Sequence, residues 1–256
     1  MRDIGARVQH ASGQLYGERR PPTEQALKNL HGAWFEAIVA LVAWNDIVEH
    51  NEQSSIKYGI VKLPPAAATP GGFRFWHLFD NDARSKLEQG LFRSLANADM
   101  ELNMPNPDLV CVEVRGGDVA SFSEGLADVD VQALRGLDEK YQQILGKCRY
   151  NDIKFGISVK TKLAPDRRYL LAYEGSIFKA ITAHLRTRYW NASLRTKYYA
   201  LTYGQVTSQD RRALSTPTVQ TILDVASPPE LAVDEIVQCA TVEEVRDRIR
   251  EWLESL

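Results

Sequence analysis

Apolar residues at helical spacing predict five helices along the chain. The first pattern is the densest, and Thr23 stands where its N-cap is needed. The last pattern begins with a Thr-x-x-Glu capping box and alternates apolar and charged faces. The predicted helices cover residues 23–51, 82–99, 130–147, 169–190 and 241–256.

Shorter β-branched and aromatic runs between these helices predict strands. They cover residues 55–64, 104–114, 153–161 and 197–206, and the Pro- and Gly-containing stretch 64–72 reads as a loop. We find no internal repeat. Because helices and strands alternate, we expect one mixed α/β domain over residues 1–256.

Composition excludes several classes of protein. The 256 residues are 44% hydrophobic and 25% charged, as is usual for a globular domain. The most apolar stretch, 33–44, contains Glu36 and is too short to span a bilayer. The first residues have no apolar signal region, and the three cysteines have no zinc or disulfide spacing. We therefore expect a cytoplasmic protein that does not bind membranes and, without a phosphate-binding loop motif, uses no nucleotide cofactor.

Charge is unevenly distributed along the chain. Residues 154–197 carry ten Lys and Arg against two acids, a net charge of +8, so the rest of the chain sums to −10. A concentrated basic segment on an acidic protein favours an anionic partner such as DNA. A solvated helix face is the alternative that this pattern leaves open.

Three charged residues stand at positions that suit phosphodiester hydrolysis. Asp108 follows Pro107 at the start of a predicted strand, Lys160 lies near the end of another, and Glu174 lies on the next helix. Two carboxylates can hold Mg²⁺, which stabilises developing negative charge and lowers the pKa of a water, while a lysine adds a further positive charge.

These residues and their spacing resemble type II restriction endonucleases of the PD-(D/E)XK superfamily, in the subgroup that cuts sites with a CCGG core. In that subgroup the second acid is displaced from the strand position two before the lysine, here Ser158, onto a helix, here Glu174. A further family acid on an N-terminal helix corresponds to Glu36. The resemblance implies a mixed β-sheet flanked by helices, with Asp108, Glu174 and Glu36 as metal ligands and Lys160 and Ser158 beside them.

The same resemblance implies a DNA-reading motif, Arg-x-Asp-Arg, four residues after the lysine. Asp166 and Arg167 match its third and fourth positions, but Ala164 replaces its first arginine. A bidentate arginine–guanine contact is worth about 1–3 kcal/mol, so its loss would alter the target or shift the contact to Lys162 or Arg168. Asn29 corresponds more weakly to an amide that some members insert into the minor groove.

We therefore expect a Mg²⁺-dependent, site-specific double-stranded DNA endonuclease that reads a G·C-rich palindrome and acts with a companion methyltransferase. A palindrome suggests a two-fold homodimer, and the family also allows tetramers. The C-terminal helix is a candidate subunit interface, or it packs on its own core. The rival functions are a DNA-binding protein without catalysis and a repair or recombination nuclease on the same fold.

Each site residue also has an ordinary structural interpretation. Asp108 could cap a turn, and Lys160 could point to solvent at a strand end. Glu174 could pair with a cation on the helix surface, either Lys179 or Arg168. Asp166 could serve as the N-cap of the 169–187 helix. We expect these side chains to converge on one site if the endonuclease interpretation is right.

Overall fold

The computed structural model describes residues 23–65, 73–126, 131–218 and 229–256. Its α-helices are α1 (Glu24–Gln53), α2 (Asn81–Lys86), α3 (Arg93–Asn97), α4 (Val131–Ile144), α5 (Pro165–Arg188), α6 (Ser208–Leu214) and α7 (Val242–Glu254). Its strands are β1 (Tyr58–Lys62), β2 (Leu109–Glu113), β3 (Ile153–Lys160), β4 (Lys197–Thr202) and β5 (Glu235–Gln238).

The five strands form one mixed sheet in the order β1-β2-β3-β4-β5. The first three strands pair antiparallel, and β3, β4 and β5 run parallel to one another. Both faces of β2 are buried, which explains its nearly continuous apolar sequence, and six of the eight residues of β3 are also buried. The predicted mixed α/β fold and its flanking helices are confirmed.

The terminal helices pack against each other and the sheet. Thr23 caps α1 as predicted, since its hydroxyl accepts a hydrogen bond from the Ala26 backbone nitrogen. The Thr241 capping box of α7 is also confirmed. The apolar face of α7 is buried, and its Trp252 stacks on Tyr199 of β4 with ring centroids 4.1 Å apart. Of the two expectations for the C-terminal helix, packing on its own core is the one observed.

Several predicted boundaries were wrong. The helix expected over 82–99 is interrupted by a π-helical segment, Leu87–Phe92, between α2 and α3. Helix α5 begins at Pro165, because proline suits a first helical turn, so Asp166 lies inside that turn and Ala164 is the N-cap. Of the predicted 64–72 loop, residues 66–72 lie outside the described part of the chain. No helix among the described residues is long and apolar enough to cross a membrane.

Candidate active site

Asp108 and Lys160 meet at one end of the sheet because of how β2 and β3 pair. In this antiparallel pair Leu109 lies opposite Ile157, so the residue before β2 lies beside the last residues of β3. Asp108 Oδ2 accepts a hydrogen bond from the Val159 backbone nitrogen at 2.6 Å. It also lies 3.0 Å from Lys160 Nζ. The carboxylate therefore fixes its own loop to the end of β3.

Ser158 lies between the two carboxylates. It stands two positions before Lys160 on β3, so the two side chains share one face of the sheet. Its hydroxyl oxygen is 3.3 Å from Asp108 Oδ2 and 3.1 Å from Glu174 Oε2. Since a serine hydroxyl has one proton, it donates to one of these carboxylates at a time. Ser158 thus links the aspartate on the loop to the glutamate on the helix.

Glu174 reaches the site from α5, and only 6% of its surface is exposed. Its Oε2 atom accepts a second hydrogen bond from the Tyr198 hydroxyl at 3.0 Å. Helix α5 packs closely here because residue 175 is glycine: a Cβ at that position would stand 2.0 Å from the Ala232 carbonyl oxygen. The close packing brings the carboxylate of Glu174 to the face of the sheet that carries Ser158.

The electrostatics of the cluster favour a permanent cation at Lys160. Burial alone would lower the pKa of Lys160, but the charges of Asp108 and Glu174 outweigh it and hold that pKa above its ordinary value. Burial raises the pKa of Glu174; the Lys160 charge lowers it, and the Asp108 charge raises it further. The cluster thus places a lysine cation beside two acidic groups, and one of them, Asp108, contacts it directly.

Glu36 of α1 lies at the margin of this cluster. Its Oε1 atom is 3.4 Å from Lys62 Nζ, and Lys62 also contacts Asp138 at 2.6 Å. Burial raises the pKa of Glu36, and the Asp108 charge adds to that effect. Glu36 is thus close enough to the site for the charge of Asp108 to affect its pKa. Its direct partner is Lys62, a basic group of the kind that a buried carboxylate requires.

The sequence-predicted DNA-reading residues fall into two groups. Lys162, Asp166, Arg167 and Asn29 are exposed, the aspartate and arginine in the first turn of α5 and the asparagine near the start of α1. Arg168 differs, because its side chain is only 18% exposed and its Nε lies 2.6 Å from Asp210 Oδ1. This ion pair joins the start of α5 to α6.

Most cations of the basic segment are already paired within the protein. Seven of the ten contact carboxylates from outside residues 154–197: Lys154 with Glu113, Lys160 with Asp108, Arg168 with Asp210, Lys179 and Lys197 with Asp234, and Arg186 and Arg195 with Glu230. The net charge of +8 in the sequence therefore overstates the charge that this segment presents to a partner. Lys162 and Arg167 are the members that combine exposure with a position beside the site.

The structure contradicts the isolated interpretations of three site residues. Lys160 is not a solvent-directed strand end, since its side chain is 18% exposed and contacts Asp108. Glu174 is buried and does not pair with Lys179 or Arg168. The hydrogen bonds of Asp108 go to the end of β3, which is more than a turn cap requires.

Sequence reasoning missed two residues that shape the site. Tyr198 reads as an ordinary strand tyrosine, yet it donates to Glu174. Asp210 lies on a helix that the hydrophobic pattern did not predict, yet it holds Arg168. The available signals were a polar-tipped tyrosine in a buried parallel strand and the Thr207–Asp210 capping box of α6.

The donor set suits a small divalent cation with few protein ligands. Each of Asp108 and Glu174 has one oxygen engaged, Oδ2 and Oε2, while no hydrogen bond from another described residue reaches Asp108 Oδ1 or Glu174 Oε1. Within the described ranges, no three His, Cys, Asp or Glu side chains are grouped closely enough to hold a metal ion. One or two carboxylates completed by water and substrate phosphate are the usual way that proteins bind Mg²⁺.

Comparisons with known proteins identify the family of this chain. The Cfr10I/Bse634I restriction endonuclease family profile matches residues 6–255. The type II restriction enzyme Cfr10I of Citrobacter freundii is 29% identical over 235 residues, which are 87% of this chain and 76% of that enzyme. The crystal structure of the type IIF restriction endonuclease Bse634I with cognate DNA has a TM-score of 0.85 and 28% identity, covering 99% of this chain and 86% of that one. A second Bse634I structure also has a TM-score of 0.85, with 29% identity, 98% of this chain and 85% of that one covered. The chain belongs to the Cfr10I/Bse634I family of type II restriction endonucleases, which are site-specific deoxyribonucleases.

Proposed function

We propose that this endonuclease requires Mg²⁺ and cuts both strands of a G·C-rich palindrome with a CCGG-like core, using one domain for cleavage and recognition. The observation that carries the proposal is the convergence of Asp108, Lys160 and Glu174 around Ser158. A DNA-binding protein without catalysis would have no need for a partly buried lysine beside two carboxylates, which is costly to maintain. Family membership disfavours a repair or recombination role.

In this proposal Asp108 and Glu174 hold Mg²⁺ through carboxylates that each keep an oxygen free of protein hydrogen bonds. Such an ion would supply positive charge beside the scissile phosphate and would lower the pKa of a bound water. Lys160, whose Nζ lies 3.0 Å from Asp108 Oδ2, would contribute a second positive charge beside the phosphate. Glu36 supports a second ion or orients water. Glu174 performs on a helix the role that most of the superfamily assigns to the strand position of Ser158.

Sequence recognition is assigned to the exposed turn that follows β3. Arginine pairs with guanine O6 and N7, and aspartate accepts from cytosine N4, so Arg167 and Asp166 suit G·C pairs in the major groove. Lys162 is exposed on the same turn and can replace the contact that Ala164 lacks. Arg168 contributes by fixing this turn to Asp210, and Asn29 remains a candidate for the minor groove.

A palindromic target has two equivalent strands, so we propose a two-fold homodimer, with a tetramer as the alternative assembly. Each subunit would then present one site to one strand. The apolar face of α7 is buried in its own core, so only the exposed face of that helix remains available for a subunit contact. Sedimentation velocity of the protein alone and with a duplex oligonucleotide measures the assembly directly.

The proposal is tested by incubating plasmids with the purified protein in Mg²⁺, beside an EDTA control, and sequencing the ends of the products. Asp108→Asn should abolish cleavage, and Glu251→Gln, which changes an exposed carboxylate of α7, is the matched control. Discrete fragments that disappear with EDTA and end at a common G·C-rich palindrome are expected. Intact DNA in both Mg²⁺ and Mn²⁺, or cleavage at an unrelated A·T-rich site, would refute the corresponding part of the proposal.

A further inference from the structure

Tyr198 on β4 has a hydroxyl in an unusual position. The residue has no exposed surface, and its hydroxyl donates to Glu174 Oε2 at 3.0 Å. A buried tyrosine hydroxyl needs a hydrogen-bond partner, and a backbone carbonyl would serve that purpose. Here the partner is a carboxylate of the active site, carried by a different element. The bond therefore ties the interior of the sheet to a functional group on α5.

The ring of Tyr198 is held on several sides. Phe178 packs against it with ring centroids 5.5 Å apart, and a Cβ on Gly175 would come within 3.0 Å of Tyr198 Cδ1. Its backbone nitrogen donates to Asp234 Oδ2 at 2.7 Å, and Lys179 Nζ contacts the same carboxylate oxygen at 2.6 Å. A side chain fixed in this way can impose an orientation on the group that it contacts.

Two hydroxyl groups of the site lie within hydrogen-bonding distance of the same oxygen of Glu174. Ser158 and Tyr198 approach Oε2 at 3.1 Å and 3.0 Å. Ser158 has one proton for Asp108 and Glu174, whereas the Tyr198 hydroxyl donates to Glu174. Because a carboxylate is planar, a fixed donor on Oε2 restricts the directions that the other oxygen, Oε1, can take.

We propose that Tyr198 is a positioning residue, whose hydroxyl orients the Glu174 carboxylate so that its other oxygen, Oε1, would be available to a divalent cation. This inference rests on the proposed function, in which Glu174 is a ligand. If Tyr198 only filled the core, phenylalanine would serve equally well at position 198. The two roles therefore differ in what removal of the hydroxyl does to metal binding.

The test compares Tyr198→Phe with Tyr199→Phe. Tyr199 is the next residue on β4, is 5% exposed and stacks on Trp252 on the other face of the sheet, so its variant also removes one hydroxyl from a buried ring. Metal binding is measured without catalysis, by titrating Mn²⁺ and following the free ion by electron paramagnetic resonance. The Mg²⁺ concentration for half-maximal cleavage and the maximal rate are measured in parallel.

We expect Tyr198→Phe to weaken Mn²⁺ binding and raise the half-maximal Mg²⁺ concentration by about 10- to 100-fold, as for other groups that orient a metal ligand. The maximal rate at saturating Mg²⁺ should stay close to that of the wild-type protein, and Tyr199→Phe should change neither constant. Equal metal affinity in the two phenylalanine variants would overturn the inference.

Two further variants keep the outcomes distinct. If Glu174→Gln binds Mn²⁺ as tightly as the wild-type protein, then Glu174 is not a ligand and the proposed function fails first. If Tyr198→Phe does not fold, 3-fluorotyrosine at position 198 retains the ring and makes the hydroxyl a stronger donor. Tighter Mn²⁺ binding by that protein supports the positioning role, and unchanged binding overturns it.

Discussion

Replacement of Lys160 by methionine tests what the positive charge beside Asp108 and Glu174 contributes to the candidate site. Methionine nearly keeps the length of the side chain and avoids a large cavity, so the main loss is the ammonium group. In the wild-type protein that group lies 3.0 Å from Asp108 Oδ2. The variant leaves Asp108 and Glu174 facing each other across Ser158 without a protein cation between them.

The magnitude follows from the geometry. At 3.0 Å and an effective dielectric constant of about 20, one ion pair interacts by roughly 5–6 kcal/mol before desolvation is counted. Removal of one partner of a buried pair costs about 3–5 kcal/mol. Because the two side chains are still 18% and 22% exposed, we expect the low end, about 3 kcal/mol, without metal. For a domain of this size that loss lowers the melting temperature by about 6–12 °C.

The effect on metal binding has the opposite sign. Lys160 and a divalent cation compete for the negative charge of Asp108 and Glu174, so Lys160→Met should bind Mn²⁺ at least as tightly as the wild-type protein. Its melting temperature should accordingly rise more on addition of Mg²⁺ than that of the wild-type protein. Cleavage at saturating Mg²⁺ should nevertheless fall by about 10²–10³-fold, since one preorganised charge is lost from the transition state.

Thermal unfolding with and without Mg²⁺, Mn²⁺ titration and single-turnover cleavage of a plasmid measure these three effects. Asp108→Asn is the informative comparison, because it removes a proposed ligand and should lose both metal affinity and cleavage. Cleavage by Lys160→Met at the wild-type rate would show that the lysine does not act on the transition state. Weaker Mn²⁺ binding by Lys160→Met would show that the lysine organises the carboxylates and does not compete with the cation.

Three other predictions concern recognition, assembly and pH. Arg167→Ala should lose about 1–3 kcal/mol of discrimination between correct and mismatched DNA sites while it keeps most of its nonspecific DNA affinity. An unchanged cleavage pattern on a library of site variants would contradict the proposed major-groove role of Arg167. Trp190, just after α5, is 92% exposed and has a backbone φ of +53°. Trp190→Gly should therefore stabilise the subunit by about 1 kcal/mol, and loss of the exposed ring should weaken self-association. Sedimentation velocity that shows unchanged assembly would exclude Trp190 from the interface. Burial raises the pKa of Asp46, although the charges of Arg250 and Arg246 oppose the shift. The ionised carboxylate therefore lowers the free energy of unfolding at pH values above its raised pKa. This loss of stability disappears as the pH falls toward 3.8, the ordinary pKa of aspartate. Urea unfolding should therefore show Asp46→Asn to be at least as stable as the wild-type protein at pH 7, with a smaller difference in acid.

The central part of the site could be predicted because each residue occupies a position that regular structure constrains. Asp108 precedes a strand and Lys160 ends its antiparallel neighbour, so strand pairing alone brings them together. Ser158 follows from the two-residue period of the same strand. Glu174 required the resemblance to a family with the displaced acid, since nothing in local hydrophobic periodicity shows that a helical glutamate faces inward.

Other parts could not be predicted because they depend on contacts between distant segments. Tyr198 lies 24 positions after Glu174, and only the packing of α5 on the sheet makes them neighbours. Strand β5 has four residues and obtains its place from β4, so its own pattern is too short to identify it. The π-helical segment that divides the predicted 82–99 helix has only six residues. Its apolar pattern is too short to be distinguished from that of an α-helix.

The charge of the basic segment shows why net charge along a sequence is a weak guide to a binding surface. Asp234 alone engages Lys179 and Lys197, and Glu230 engages Arg186 and Arg195, although both acids follow the segment by more than thirty residues. These pairs fasten α5 and β4 to the loop before β5, which in turn presses on Gly175 and supports the turn that carries Glu174. Cations that the sequence suggested as a DNA-binding surface thus mainly hold α5, the helix that carries Glu174, against the rest of the protein.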